Sequence, residues 1–220
     1  MMPARPAGRR GRTVLNAGSG RRDGRRLPAP FDGEDWAETT LDIDPGVQPD
    51  LVASLTDLSA VLADESVDAV LSSHSLEHLY AFELPDALRE FRRVLKPDGF
   101  VFATCPDVES VAAAIAVHGL DHVAYVAPAG PITLHDILYG HTDSIRDGAL
   151  AMAHRTGLTA RRLGELALAA GFTEVTVGRG AIYDLWAVFA MPRTDGAALA
   201  AALSRTEAHF LFADDREPRP

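Results

Sequence analysis

Residues 13–20, TVLNAGSG, read together with residues 39–45, TTLDIDP, decide the fold of this chain. The first is a short apolar run that breaks into a glycine turn, and the second is an apolar run that ends in acidic residues. A strand ending in Gly-x-Gly brings bare backbone close to a ligand, because no Cβ blocks the approach and glycine tolerates positive φ. A carboxylate at the tip of the neighbouring strand then accepts hydrogen bonds from ribose hydroxyls. After Gly18-Ser19-Gly20 the chain continues Arg21, Arg22, Asp23, Gly24, so the third glycine of a G-x-G-x-x-G fingerprint is displaced. Pro28 and Pro30 break any helix soon afterwards. A pyrophosphate cradle is therefore disfavoured, and a nucleoside without phosphates fits the carboxyl edge of a parallel sheet better.

Composition bounds the rest. At 220 residues, 47% hydrophobic and 24% charged, the chain reads as one soluble domain with a full-sized core. No apolar run approaches the roughly 18–20 residues of a membrane span. The arginine-rich N-terminus lacks an apolar signal core, so a cytoplasmic location is expected. The single cysteine, Cys105, excludes an internal disulfide framework. A net charge of −10 argues against non-specific nucleic-acid binding, although eight arginines lie between Arg5 and Arg26. Residues 1–12 read as a flexible basic arm; a sharper alternative has Arg21 or Arg22 reaching an anionic group.

Residues 13–16, 39–43, 67–72 and 100–104 read as strands, the third nearly continuous in apolar residues, as expected for burial on both faces. Leu84, Leu88, Phe91 and Leu95 form one stripe of a helix over 84–95. A second helix spans 108–118, with Asp107 as N-cap, and a third spans 159–170. Residues 172–177 and 183–191 give two closing strands. Residues 195–207 give a short exposed helix before a disordered tail, within a C-terminal region of 192–220. Residues 119–157 show no clean period yet are too apolar for a linker, and read as a lid-like insertion. The expectation is an α/β, Rossmann-like, doubly wound and mostly parallel seven-stranded sheet with an antiparallel last strand.

These pieces, in this order over residues 13–191, resemble a class I S-adenosylmethionine-dependent methyltransferase of the small-molecule branch. LNAGSG is similar to the family's glycine motif and TTLDIDP to its acidic second strand. The run S-x-x-x-E-H-L followed by R-V-L-K-P-x-G-F, within residues 67–107, is the most specific part, and AGF-x-x-V resembles the entry to the sixth strand. The resemblance implies S-adenosylmethionine as cofactor. It places Asn16, Gly18 and Gly20 at the methionine end and Asp42 on the ribose. Asp57 and Leu58 fall beside adenine, and Ser73 or His74 near the transferred carbon. Asn16 stands where the family usually carries an acid.

Methyl transfer from a sulfonium needs chiefly alignment of the acceptor, with a base only where the nucleophile must lose a proton. His135 and Tyr139, four residues apart and so on one face of a helix, are the preferred catalytic pair, with His74 as a third candidate. Tyr125, His141 and His154 are candidate substrate contacts. Glu77 and His78 read as structural groups inside a turn. The spacing of His135, His141 and His154 matches no defined metal site, so no metal is expected. The reading is transfer to an N or O atom of a small metabolite, with a homodimer possible. Two alternatives stand beside it: a relative that cyclises the aminobutyryl arm of the cofactor and releases methylthioadenosine, and a non-catalytic binding scaffold.

Overall fold

The computed structural model describes residues 11–21, 27–128 and 130–212. Most of the basic arm, Arg22 and the end of the tail lie outside them. Arg12 does not belong to the arm: it opens the first strand, β1 (Arg12–Ala17), and its guanidinium stacks on Trp36, 4.2 Å from the ring centre.

Alternation of side chains builds two cores from one sheet, because successive residues of a strand point to opposite faces. Leu15 and Ala17 of β1 enter one core while Val14 enters the other. The same split divides Val70 from Ala69 and Leu71 on β4 (Val67–Ser73), and Val101 and Ala103 from Phe100 and Phe102 on β5 (Leu95–Pro106). With β2 (Trp36–Asp42), β3 (Leu51–Val52), β8 (Glu174–Arg179) and β9 (Asp184–Ala190), the sheet has the order β3-β2-β1-β4-β5-β9-β8. Every pairing is parallel except those of β9, which runs antiparallel between β5 and β8. The direction of winding reverses between β1 and β4. That switch point opens a crevice at the carboxyl ends of the strands.

The two faces are covered differently. On one, α1 (Leu84–Val94) seats Leu84, Leu88 and Phe91, α5 (Ala160–Ala169) seats Leu163 and Ala167, and the 55–62 turn adds Leu55, Leu58 and Leu62. On the other, no helix stands between β1 and β2 among the described residues. A strap carrying Leu27, Phe31 and Trp36 lies there instead, with Phe31 stacked on Phe100. The rest of that face is closed by α6 (Gly196–Leu203) and a 3-10 turn at Glu207–Phe212. Leu199, Leu203, Ala208 and Leu211 are buried there, so the last helix is a core element and not the exposed one its sequence suggests.

The insertion is ordered secondary structure. After α2 (Val108–His118) come a hairpin of β6 (Val123–Ala127) and β7 (Gly130–Thr133), then α3 (Leu134–Tyr139) and α4 (Thr142–Arg146). A small core of Val111, Ala114, Leu134 and Ile137 holds it to α2. Thr133 and Asp136 form a reciprocal capping box at the start of α3. No helix among the described residues is long and apolar enough to cross a membrane.

Candidate active site

The glycine turn is built against the ends of both neighbouring strands. Gly18 and Ser19 donate their N–H groups to Leu41 O, at 2.8 and 3.0 Å. Gly20 N–H donates to Asp42 Oδ2 at 2.8 Å, and Asp44 N–H to Oδ1 at 3.0 Å. Gly18 has φ +74°, and a Cβ there would stand 2.5 Å from Ser75 Cβ, so only glycine lets the turn meet the loop after β4. A Cβ at Gly20, with φ +60°, would meet nothing within 4 Å among the described residues. Beside them the side chain of Ile43 is 63% exposed at the tip of β2. An apolar surface next to a partly satisfied carboxylate suits a nucleoside, and sequence reasoning did not single out Ile43.

Two expected cofactor contacts are engaged elsewhere. Asn16 Nδ2 donates to Glu38 Oε1 at 2.8 Å. Leu58 is fully buried beneath its turn, and its N–H donates to Glu90 Oε2, which corrects its expected position beside a ring. Asp57 is exposed and closes the turn by accepting from Ser59 N–H and Oγ–H, which hold its carboxyl below the usual range. Ser73 ends β4 with its hydroxyl 3.2 Å from that of Thr104.

At the carboxyl ends of β4 and β5 lies a cavity of about 180 Å³ roofed by the insertion. His74, Glu77, His78, Tyr125, His141 and His154 are among its lining groups. Two of its lining residues have left-handed backbone, His74 at φ +50° and Tyr183 at φ +64°. Left-handed backbone at two non-glycine residues of one cavity is the kind of strain that concentrates at functional sites. His74 Nδ1 stands 3.2 Å from Glu77 Oε1. Burial pulls the imidazole pKa down, but the contact with Glu77 and the charges of Glu77 and Asp184 outweigh it, and the net shift is upward. His154 moves the other way, chiefly through burial. The Tyr125 phenol is raised by burial and by the charges of Asp184 and Asp136.

The preferred pair does not meet in this cavity. His135 and Tyr139 do share a face of α3, with ring centres 5.0 Å apart, as their spacing requires. That face turns outward: His135 lines a separate recess with Asp121 and Asp143, and Tyr139 is 56% exposed. The cause is that Leu134 and Ile137 take the inward side of α3. Cys105 is fully buried, and burial pushes its thiol well up, followed by the charges of Glu77, Asp107 and Asp184. It is a core residue and not a nucleophile.

The turn Leu76–His78 is tied to the far end of the insertion. Arg155 and Thr156 both donate their N–H groups to Glu77 O, at 2.8 and 3.2 Å. His154 N–H donates to Tyr139 O at 3.1 Å. Three charged or ionisable side chains, Glu77, His78 and His154, thereby converge from segments about 76 residues apart.

Residues 35–103, from β2 into β5, match the methyltransferase domain family. No curated protein sequence matches significantly. Among solved structures the fold is similar to a 1,6-didemethyltoxoflavin-N1-methyltransferase from Burkholderia thailandensis, solved with 1,6-didemethyltoxoflavin and S-adenosylhomocysteine. That likeness has 18% identity, covers 84% of this chain and 72% of the other, and has a TM-score of 0.51. It is also similar to a SAM-dependent methyltransferase from Archaeoglobus fulgidus, at 13% identity over 83% and 87% of the two chains, with a TM-score of 0.55. A third likeness is to an arsenic(III) S-adenosylmethionine methyltransferase from Chlamydomonas reinhardtii, at 18% identity over 85% and 66%, with a TM-score of 0.53. The matched segment, set in a sheet of this order, gives the chain a methyltransferase-domain signature on the Rossmann-like fold that it shares with these S-adenosylmethionine-dependent enzymes.

Proposed function

We propose that this enzyme methylates an N or O atom of a small molecule held in the cavity between the ends of β4 and β5 and the insertion. The observation that carries the reading is adjacency: Ser75, against which Gly18 packs, is three residues before His78 on the cavity wall. The residues fit the cofactor. Asp42 uses one N–H on each oxygen and retains lone pairs for ribose hydroxyls. Ile43 offers an apolar face for adenine, with Asp57 nearby in sequence order as a partner for its amino group. Among the described residues, Gly20 leaves open space beside the turn. When bound, S-adenosylmethionine supplies an electrophilic methyl group on a sulfonium.

The chain's own contribution is positioning and proton handling. The insertion roofs the acceptor and excludes water. Tyr125, kept as a phenol, donates a hydrogen bond to orient it, and His141 and Tyr183 complete the wall. His74, half-exposed beside Glu77, receives a proton from an acceptor that must lose one.

Titration of S-adenosylmethionine into the wild type and Asp42→Ala tests the cofactor half of the reading. The variant is expected to bind about 10–100-fold more weakly, the scale of a charge-assisted hydrogen bond. Products are then identified over a panel of small amines and alcohols. S-adenosylhomocysteine with a methylated acceptor supports the reading. Methylthioadenosine from S-adenosylmethionine alone would replace it with cyclisation of the aminobutyryl arm, and binding without turnover would leave a scaffold.

A further inference from the structure

Glu77 presents a chemical problem that the methyl-transfer reading does not use. The residue is 1% exposed, yet among the described residues neither carboxylate oxygen has a hydrogen-bonded partner. A buried carboxylate without donors is costly, and native proteins retain one where something else completes it. His74 Nδ1 reaches only Oε1, at ion-pair distance.

Beside Glu77 stand His78 and His154, with ring centres 4.9 Å apart. One ligand atom from each of the three residues lies within 4.8 Å of the others. The histidines are held in a particular way. His78 Nδ1 is 3.3 Å from Ala153 O, and His154 Nδ1 is 2.9 Å from Ile137 O. A carbonyl can only accept, so each Nδ1 carries a proton, and in the neutral imidazole that leaves the Nε2 lone pair for a ligand. A backbone carbonyl fixing one imidazole nitrogen is what orients metal-ligating histidines elsewhere.

We propose that Glu77, His78 and His154 bind a divalent first-row transition cation, with Zn²⁺ the best match to the donor set. Two imidazoles and one carboxylate leave open coordination positions, unlike a closed structural site, and the mixed N/O set disfavours Mg²⁺ and Ca²⁺. Ligand atoms around such an ion stand about 3.4 Å apart in a tetrahedral site, so binding draws the trio inward. The open positions face the cavity lined by His74, Tyr125, His141 and Tyr183. There the cation acts as a Lewis acid toward an acceptor oxygen or nitrogen, with no change of oxidation state. A bound hydroxyl gives up its proton to His74, as assigned above, and the oxygen keeps the electron pair for attack.

The proposal refines the acceptor cavity assigned above, but its test reads metal alone. Untagged protein is stripped with a chelator, titrated with Zn²⁺ by calorimetry, and assayed for metal content after gel filtration. The expected result is one Zn²⁺ per chain and a rise in Tm of several degrees. Affinity should fall at least 100-fold in Glu77→Gln and in His154→Gln, with His135→Gln, in the neighbouring recess, unchanged. Co²⁺ in place of Zn²⁺ should give visible absorption that both ligand variants lose. Circular dichroism of the stripped variants confirms that they are folded. No stoichiometric binding by the wild type, or equal affinity in folded Glu77→Gln and His154→Gln, overturns the proposal. S-adenosylmethionine binding measured on the same samples shows separately whether the cofactor reading stands.

Discussion

Gly18 and Gly20 sit two residues apart with similar positive φ, but their surroundings differ. Gly18→Ala drives a methyl group into Ser75, whose hydroxyl is itself locked to Ser72 at 2.6 Å. A loss of about 2–4 kcal/mol of stability is expected, from left-handed strain and steric overlap together. Gly20→Ala meets no atom of the described residues and should cost only about 1–2 kcal/mol, the strain alone. Urea denaturation of both variants checks the contrast. At this scale the sequence was legible where the backbone dictates the residue, as at Gly18, Gly20 and Asp42. It was not legible at Ile43, because an exposed apolar residue after an acid has no signature in one sequence. Glu77 and His78 were visible as a motif, but the meaning of the pair depends on His154, which reaches them only through the folded insertion.

The insertion depends on its own short elements. The Thr133 hydroxyl caps α3 by accepting from Asp136 N–H at 3.1 Å, and Thr133→Ala should cost about 1 kcal/mol locally. Hydrogen exchange at the amides of α3 is the measurement, since local opening need not move the global melt. Asp136 accepts four donors, from the N–H and hydroxyl groups of Thr133 and Thr142. Burial pushes its carboxyl up, but these donors outweigh it and hold the group well below the usual range. Its contribution is therefore complete above the unfolded value of 3.8 and is lost as pH falls below it. Asp136→Asn should lower the exchange-derived stability of α3 most at neutral pH and flatten its acid limb, where the wild type has already lost the contribution. The helix α1 was readable from its apolar stripe, α2 from its Asp107 cap, and α5 from its Thr159 cap. The outward turn of His135 and Tyr139 was not: i, i+4 spacing says which residues share a face, and only the packing of Leu134 and Ile137 says which face goes in.

Across the whole molecule the sheet is sealed by two unlike covers, and the second is made late in the chain. Leu203 is fully buried against the face that holds Phe102 and Val188. Leu203→Ala should cost about 2–5 kcal/mol, as large-to-small core substitutions do, read by thermal or urea unfolding. Removing residues 196–212 should expose that face and replace cooperative unfolding with a broad transition that binds hydrophobic dye. The alternation of strand residues made two buried faces predictable. What would cover the second was hidden, because residues 27–36 and 196–212 lack a strong helical stripe and act through a few anchors.

The burial of Cys105 gives the molecule a clock. It is the chain's single thiol, carried on the interior strand β5 and fully shielded. An alkylating reagent can reach it only when that strand separates from its neighbours. The rate of modification under native conditions therefore counts openings of the sheet, one chemical event per molecule. A ligand that binds only the closed form slows the count by the factor 1 + [L]/Kd. Affinities for a nucleoside, a cation or an untested acceptor can thus be timed from one sulfur atom, without turnover and without a label.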